Sequence, residues 1–335
     1  MLFRSLACAL VLPACAILPE HTSDPAPKTR GPLPTRANAP VSLMFLQFKP
    51  RTAHVQPLGT FGLQATSAYS SIFEDGSDTD SEIVFDGEIW RSALAVRYGV
   101  TESSDLEVEI PLVYASSGFL DQFVETFHEI LFLPNSGRES RPKFTYSMEA
   151  RQNGERFYHM EGNSLGLGDM SLIFAQRVLQ ESVEAPGVLV RAGVELPTGS
   201  ESAGFGNGEV DWGGDARIER SFGRWTLGAA ASYVLTAEPS AFTESGVDAS
   251  DIAGAQAGVE YRWNDDLSFV FGAVYTSTVT DDIHIEELNS DILMLDFGAI
   301  WDTHSGSRWM AAFQEDAIAA SGPDFTVFVG LSFGM

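Results

Sequence analysis

The sequence predicts an all-β protein: a transmembrane antiparallel up-and-down β-barrel of 12 strands, with one amphipathic helix in a long external loop. Three observations carry that expectation. From Gly59 onward, apolar residues recur at every second position in a series of strand-length runs. The links between runs alternate between short and long. After residue 19 no stretch is apolar for long enough to form a membrane helix, so a crossing has to use strands.

The chain opens on an export signal, residues 1–16. Arg4 is the only charge before Glu20, and Leu6 to Leu12 form an apolar core followed by small residues. Two cleavage readings stand side by side. Ala14-Cys15-Ala16 suits an ordinary signal peptidase, whereas Leu12-Pro13-Ala14-Cys15 resembles a lipobox that would leave Cys15 as a lipidated N-terminus. Cys8 and Cys15 are the two cysteines, so the mature chain has no internal disulfide. Residues 17–58 read as a periplasmic linker or N-terminal arm. Their first part, 17–40, is rich in Pro, Ala, Thr and charge without periodicity, a composition that does not bury a core. Val41 to Phe48 is a short apolar run suited to tucking into the barrel's periplasmic mouth.

The barrel is expected over 59–335. Its runs are 59–72, 83–98, 105–115, 168–179, 187–196, 210–222, 224–235, 251–263, 267–277, 290–302, 306–316 and 324–335. Most exceed the roughly 9–11 residues that a tilted strand needs to cross a bilayer. Links after the even-numbered runs are short, such as Gly223 and Asn264–Asp266; those after the odd ones are mostly long, up to Ser116–Leu167. Sorting by parity, with both termini on the short side, is the pattern of an outer-membrane barrel, and a soluble sandwich has no reason for it.

Side-chain polarity agrees. In 324–335, Phe325, Val327, Val329, Leu331, Phe333 and Met335 share one face, and the other is small or polar except for Phe328. In 105–115, Leu106, Val108, Ile110, Leu112 and Tyr114 oppose Asp105, Glu107 and Glu109. Tyr98, Trp225, Trp263, Trp301 and Trp309 at run ends suit an interfacial girdle. Asp86, Glu88, Gln176, Arg220, Asp291 and Glu315 interrupt the outward face, and Gln176 does so away from a strand end.

Acidic residues outnumber basic ones 46 to 20, for a formal charge of −26. That excludes nucleic acid as a partner and suits divalent cations. The expected partners are outer-membrane lipid and lipopolysaccharide, the barrel assembly machinery, and divalent cations at acidic loops. Glu74-Asp75 with Asp78, Asp80 and Glu82, and Asp281-Asp282 with Glu286-Glu287, form such clusters, but they lack EF-hand spacing and read first as solvated charge. Gly204-Phe205-Gly206-Asn207-Gly208 reads as a loop tip, since no helix follows to cradle a phosphate. No cofactor is expected.

The inferred lumen face carries both signs of charge. Arg91, Arg97, Arg177, Arg191, Arg217, Arg262 and Arg308 fall there with Glu107, Glu109, Glu195, Asp215, Glu260 and Asp296, and also Asp169, Asp211, Glu219 and Asp316. Across the Gly99–Ser104 turn, Arg97 is expected opposite Glu107. Ion pairs holding a narrow barrel together are the first reading, a selective pore lining the second and a ligand site the third. In the longest loop, 119–132 has helical periodicity. Phe119, Leu120, Phe123, Val124, Phe127, Ile130 and Leu131 lie on one side, with Asp121, Glu125 and His128 on the other. Such a helix suits a lid in the mouth or a place on the membrane surface. Its polar face reads as hydrogen-bonding first and as a metal or catalytic site only second.

These pieces together resemble a known family. Gly31-Pro32-Leu33-Pro34-Thr35-Arg36 with Pro40, Arg97-Tyr98-Gly99, Ser117-Gly118-Phe119-Leu120-Asp121 with Phe127-His128 and Leu133-Pro134, Gly137-Arg138, Gly166-Leu167-Gly168-Asp169, Leu196-Pro197-Thr198-Gly199 and Gln314-Glu315-Asp316 are similar to the proteobacterial family catalogued as domain of unknown function 3187. The family's loop usually opens Gly-Gly where this chain has Ser117-Gly118. The resemblance implies an outer-membrane barrel and carries no activity.

The functional expectation is a narrow channel or small-molecule transport barrel, with a charge-paired lumen and the helical loop as lid. A non-conducting structural or surface-interaction barrel is the alternative. An outer-membrane hydrolase is a remote third: it needs a Ser–His pair on an outward strand face, and no histidine of the sequence falls on one. The protein is not expected to be an enzyme.

Overall fold

The computed structural model describes residues 29–131, 142–280, 283, 285–317 and 322–335. The export signal, both cleavage readings and residues 17–28 lie outside these, as do Asp281, Asp282 and the side chain of His128. Twelve antiparallel strands form a closed barrel: β1 (Phe61–Ser77), β2 (Ser81–Thr101), β3 (Ser104–Ser116), β7 (Met170–Leu179), β8 (Gly187–Leu196), β9 (Asp211–Phe222), β10 (Trp225–Leu235), β11 (Ile252–Arg262), β12 (Leu267–Thr276), β13 (Ile292–Asp302), β14 (Ser307–Asp316) and β15 (Phe325–Phe333). Each pairs with its neighbour in sequence. β15 closes on β1, with Leu63 opposite Phe333 and Ser71 opposite Phe325. Closure leaves no free edge, which is what lets strands sit in lipid with every ladder bond made.

Alternation sorts the side chains. Leu63, Leu94, Leu227, Phe269 and Val329 are exposed on the outer wall, where lipid would meet them. Gln176 is also on that wall, and its Nε2 donates to the carbonyl of Arg177 at 3.0 Å. Aromatics pair at the turn end, including Phe61 with Tyr98 (4.7 Å between ring centroids), Trp225 with Tyr261 (4.5 Å) and Trp301 with Trp309 (5.7 Å, stacked). Phe328, the exception in the last strand, points inward and packs with Leu33, Val270, Ile300 and Met310. A large inward aromatic is explained by having something inside the barrel to pack against.

That something is residues 29–58. They were expected as a linker in the periplasm, with only Val41–Phe48 near the mouth. Instead residues 29–53 and Gln56 are held inside the barrel, while His54, Pro57 and Leu58 are exposed at the turn end. The stretch enters at the turn end, where the Arg30 Nε donates to Asp302 Oδ2 at 3.0 Å, and rises past Asp296 and Ser70. It turns in a short 3₁₀ helix, Val41–Met44, and descends past Asp211, Glu109 and Asp105. It leaves beside Gly99, with which Leu58 forms a bridge. The two limbs touch low in the lumen at Gly31 (φ +94°), where a Cβ would stand 2.4 Å from the Thr52 methyl. Composition misled because a segment inside a barrel needs no core of its own: the wall supplies the partners. Its prolines at 32, 34, 40, 50 and 57 also remove backbone donors that would otherwise need them.

The long β3–β7 link holds three further strands that periodicity did not predict: β4 (Ser147–Gln152), β5 (Glu155–His159) and β6 (Ser164–Leu167). β4 pairs with the far end of β2, β5 with β4, and β6 with the upper part of β3. They are too short for the alternation to stand out. Together with α2 (Ser240–Ser245) and α3 (Glu286–Asn289) they bring an apolar cluster over the loop end. Phe45 and Phe157 both meet the Phe242 ring edge-on, at 6.3 Å and 5.4 Å. The cluster continues through Met44, Phe85, Met148, Tyr158, Ile283 and Ile285, all buried. Tyr146 fastens it from the side, its hydroxyl donating to the Met160 carbonyl at 2.7 Å, and burial raises the phenols of Tyr146 and Tyr158 above their ordinary value.

The loop helix, α1 (Asp121–Leu131), forms where it was expected, but not as a lid. The Phe119 ring just before it stacks on outward-facing Tyr69 (5.5 Å), and Phe123 meets outward-facing Phe325 edge-on (5.3 Å). The helix therefore packs on the outside of the wall, with Phe119 and Phe123 still half exposed or more. Outward Glu88 explains the placement. Its carboxylate accepts the backbone N–H groups of Phe119 (2.8 Å) and Leu120 and the Tyr69 hydroxyl, so the loop is pinned to the wall from outside. On the polar side, Asp121 accepts the Phe144 N–H at 2.7 Å and Glu125 pairs with Lys143 at 2.5 Å.

Candidate functional site: the occupied lumen

Inward positions of the strands bear the charges, and neighbouring strands pair many of them within the wall. Arg91 and Arg97 on β2 face Glu109 and Glu107 on β3: Arg91 Nη2 lies 2.8 Å from Glu109 Oε1, and Arg97 Nη2 2.5 Å from Glu107 Oε2. Arg191 on β8 meets Asp215 on β9 through two bonds, Nε to Oδ1 at 2.7 Å and Nη2 to Oδ2. Arg217 stands 4.0 Å from Glu219 on its own strand. Apart from the partly buried Arg97, these side chains are buried, where a lone charge would be costly and a hydrogen-bonded pair is tolerated.

The luminal segment adds a second set. Lys49 Nζ bonds to Glu109 Oε2, on the carboxylate that Arg91 already holds. Arg51 makes a forked pair with Asp105, at 3.2 Å and 2.8 Å, and Asp105 also accepts the Gln56 N–H at 2.8 Å. Glu260 accepts the backbone N–H groups of Arg30 and Gly31, the Thr29 hydroxyl and the Ser268 hydroxyl. Asp296 accepts the Thr35 hydroxyl at 2.8 Å. Asp302 holds Arg308 at 2.6 Å and Arg30 at 3.0 Å. Arg36 lies with Arg91 and Glu195 around a cavity of about 10 Å³, too tight for more than a water.

Shape fits as well as charge. Where Phe48 and Leu33 approach the wall, the wall has glycine. A Cβ at Gly193 would stand 3.2 Å from the Phe48 ring and one at Gly213 2.9 Å from it, while one at Gly298 would stand 2.8 Å from a Leu33 methyl. The Arg191 guanidinium lies 5.3 Å from the Phe48 ring centroid, and its Nη2 donates to the Lys49 carbonyl at 2.8 Å.

The expected lumen charges thus fall into two groups. Arg91, Arg97, Glu107, Glu109, Arg191, Glu195, Asp215, Arg217, Glu260 and Asp296 surround the luminal segment. Arg177, Arg262 and Arg308 lie at the turn-end rim, the first two donating to the carbonyls of Glu102 and Gly223. What sequence reasoning missed are the segment's own cations and the roles of Asp105 and Asp302. A signal was present: residues 29–58 contain Arg30, Arg36, Lys49 and Arg51 and no acidic residue, in a chain of strongly negative charge. Among the described residues no group of three His, Cys, Asp or Glu side chains is placed to hold a metal ion. Glu74 and Glu82 of the acidic cluster lie within β1 and β2.

Comparison with known proteins gives a family and a fold. The model of a family described as protein of unknown function, DUF3187, matches residues 7–335. The fold is similar to that of the COG4313 outer membrane channel from Pseudomonas putida F1, at 12% identity and a TM-score of 0.55, over 86% of this chain and 99% of that one. More distant likenesses include the NanC porin (9% identity, TM-score 0.45, 81% of this chain and 98% of that one). A mutant of the TodX monoaromatic hydrocarbon channel is similar at 12% identity and a TM-score of 0.41, over 88% of this chain and 92% of that one. No curated protein matches the sequence.

Proposed function

This chain belongs to the DUF3187 family, and we propose that it is a small-molecule transport barrel of the outer membrane, kept shut by its own N-terminal segment. The observation that carries this reading is the chemistry of the contact between segment and wall. Through the middle and lower lumen the segment is held largely by ion pairs and hydrogen bonds, and the wall keeps pairs of its own, Arg97 with Glu107 and Arg191 with Asp215. A wall of that kind stays satisfied when water replaces the segment, which an apolar core would not. The barrel can therefore alternate between an occupied and a wetted lumen without losing its fold.

Closure belongs to residues 29–58 and the apolar roof, while α1 is fixed to the outer wall. The likeness to a channel supports the architecture only, at 12% identity. A non-conducting barrel is the second reading, and the roof around Phe45 and Phe242 favours it. Single-channel recording on inserted full-length protein and on the double variant Lys49→Gln/Arg51→Gln decides between them. The transport reading expects a closed wild type with rare openings and a variant that opens often. Silence from both, with insertion confirmed, leaves the structural barrel.

A further inference from the structure

The luminal segment and the wall differ in the sign of their charge. On the twelve barrel strands, twelve carboxylates occupy inward positions against seven arginines. The segment brings four fixed cations, Arg30, Arg36, Lys49 and Arg51, and no carboxylate. It nearly neutralises the wall. Its cations also sit on particular carboxylates: Arg51 in a fork on Asp105, Lys49 on Glu109, Arg30 on Asp302. Backbone N–H groups of the same segment fill Glu260. Two buried carboxylate oxygens that face the segment, Glu195 Oε2 and Asp296 Oδ1, have no hydrogen-bond partner among the described residues. The lumen is thus a chain of acceptor sites that the segment fills incompletely.

We infer that the segment is a tethered stand-in for the transported solute, and that the solute is an organic cation bearing ammonium or guanidinium groups. The inference rests on the transport reading. Once the segment is withdrawn, the inward strand positions keep five more carboxylates than arginines in a narrow, low-dielectric tube, which concentrates cations and repels anions. A cation with spaced amino groups can then move from one carboxylate to the next, using the contacts that Lys49 and Arg51 now make. Neutral solutes gain nothing from such a lining, and anions are excluded by it.

The test uses a barrel lacking residues 29–56, recorded in planar bilayers under a potassium chloride gradient, with insertion confirmed by protease protection. The expected result is a steady current with potassium preferred over chloride on the order of tenfold. Spermine and a synthetic peptide of residues 29–56 should both block it, and the peptide with its four cations replaced by Gln should not. Current without cation preference, or equal block by the neutral peptide, overturns the cation assignment and leaves the transport reading standing. No current from inserted barrels overturns both. Should the deletion fail to insert alone, refolding with peptide in trans supplies the readout: rescue by the cationic peptide only is expected, and rescue by the neutral one overturns the inference.

Discussion

Arg51 and Asp105 meet as a two-pronged pair, Nη1 to Oδ1 at 3.2 Å and Nη2 to Oδ2 at 2.8 Å, with Asp105 fully buried. The contact joins the descending limb of the luminal segment to β3. Asp105→Asn would leave a buried guanidinium without its forked counter-charge, with only Glu107, 4.0 Å away and already held by Arg97, to offset it. The expected cost to the closed state is about 3–5 kcal/mol. Thermal unfolding followed by gel mobility should shift downward, and channel openings should become frequent. An unchanged melting profile would remove Arg51 from the list of anchors.

Phe45 sits at the tip of the segment against the Phe242 ring, with no exposure. Phe45→Ala should open a void in the roof and cost about 3–5 kcal/mol of its packing. The barrel wall does not depend on this ring, so strand content by circular dichroism should hold while leakage of a small dye from proteoliposomes rises.

Gly193 makes room for Phe48 on the inner wall. Gly193→Leu places a side chain where that ring now lies and should expel the descending limb at that level. Trypsin cleavage after Arg51, slow in the native protein because Arg51 is held inside on Asp105, should become rapid. If cleavage stays slow, Phe48 is not what seats the limb.

The two faces of β15 should respond oppositely to charge. Val329 faces outward and is half exposed on the wall, whereas Ser332 faces inward across from Arg308. Val329→Asp puts a carboxylate into lipid at a cost on the order of 2 kcal/mol and should lower the yield of assembled barrel. Ser332→Asp gains an arginine neighbour and should assemble at the native yield. Equal yields would mean the facing of the strand is reversed.

The barrel was legible because its signal is repeated twelve times over. Strand ends moved by a few residues, and the β2–β3 register placed Arg97 beside Glu107 as the alternation and the turn required. The occupied lumen was not legible from periodicity, since residues 29–58 have none. Their relation to the barrel lies in contacts between residues as far apart as Arg30 and Asp302, which no local pattern encodes. The helix illustrates a different limit. Its amphipathic face announced that something apolar would be covered, but an apolar face fits the lipid side of a wall as well as a mouth. Glu88, read from the sequence as an outward carboxylate near a strand end, instead binds the loop backbone and marks the outer site.

The two described ends of the luminal segment, Arg30 beside Asp302 and Leu58 beside Gly99, both lie at the turn-end opening, so it sits in the barrel as a doubled cord rather than a threaded one. That geometry decides how it responds to tension. A pull on the chain ahead of Thr29 does not load Arg30, Thr35, Leu46 and Lys49 together; it peels them one after another, starting at Asp302 and Glu260. The peak force is then set by the single strongest attachment instead of by their sum. Nothing has to pass through the roof, and no strand has to part from its neighbour. Load applied from the turn end therefore breaks one attachment at a time, up to the seat of Phe45 against Phe242.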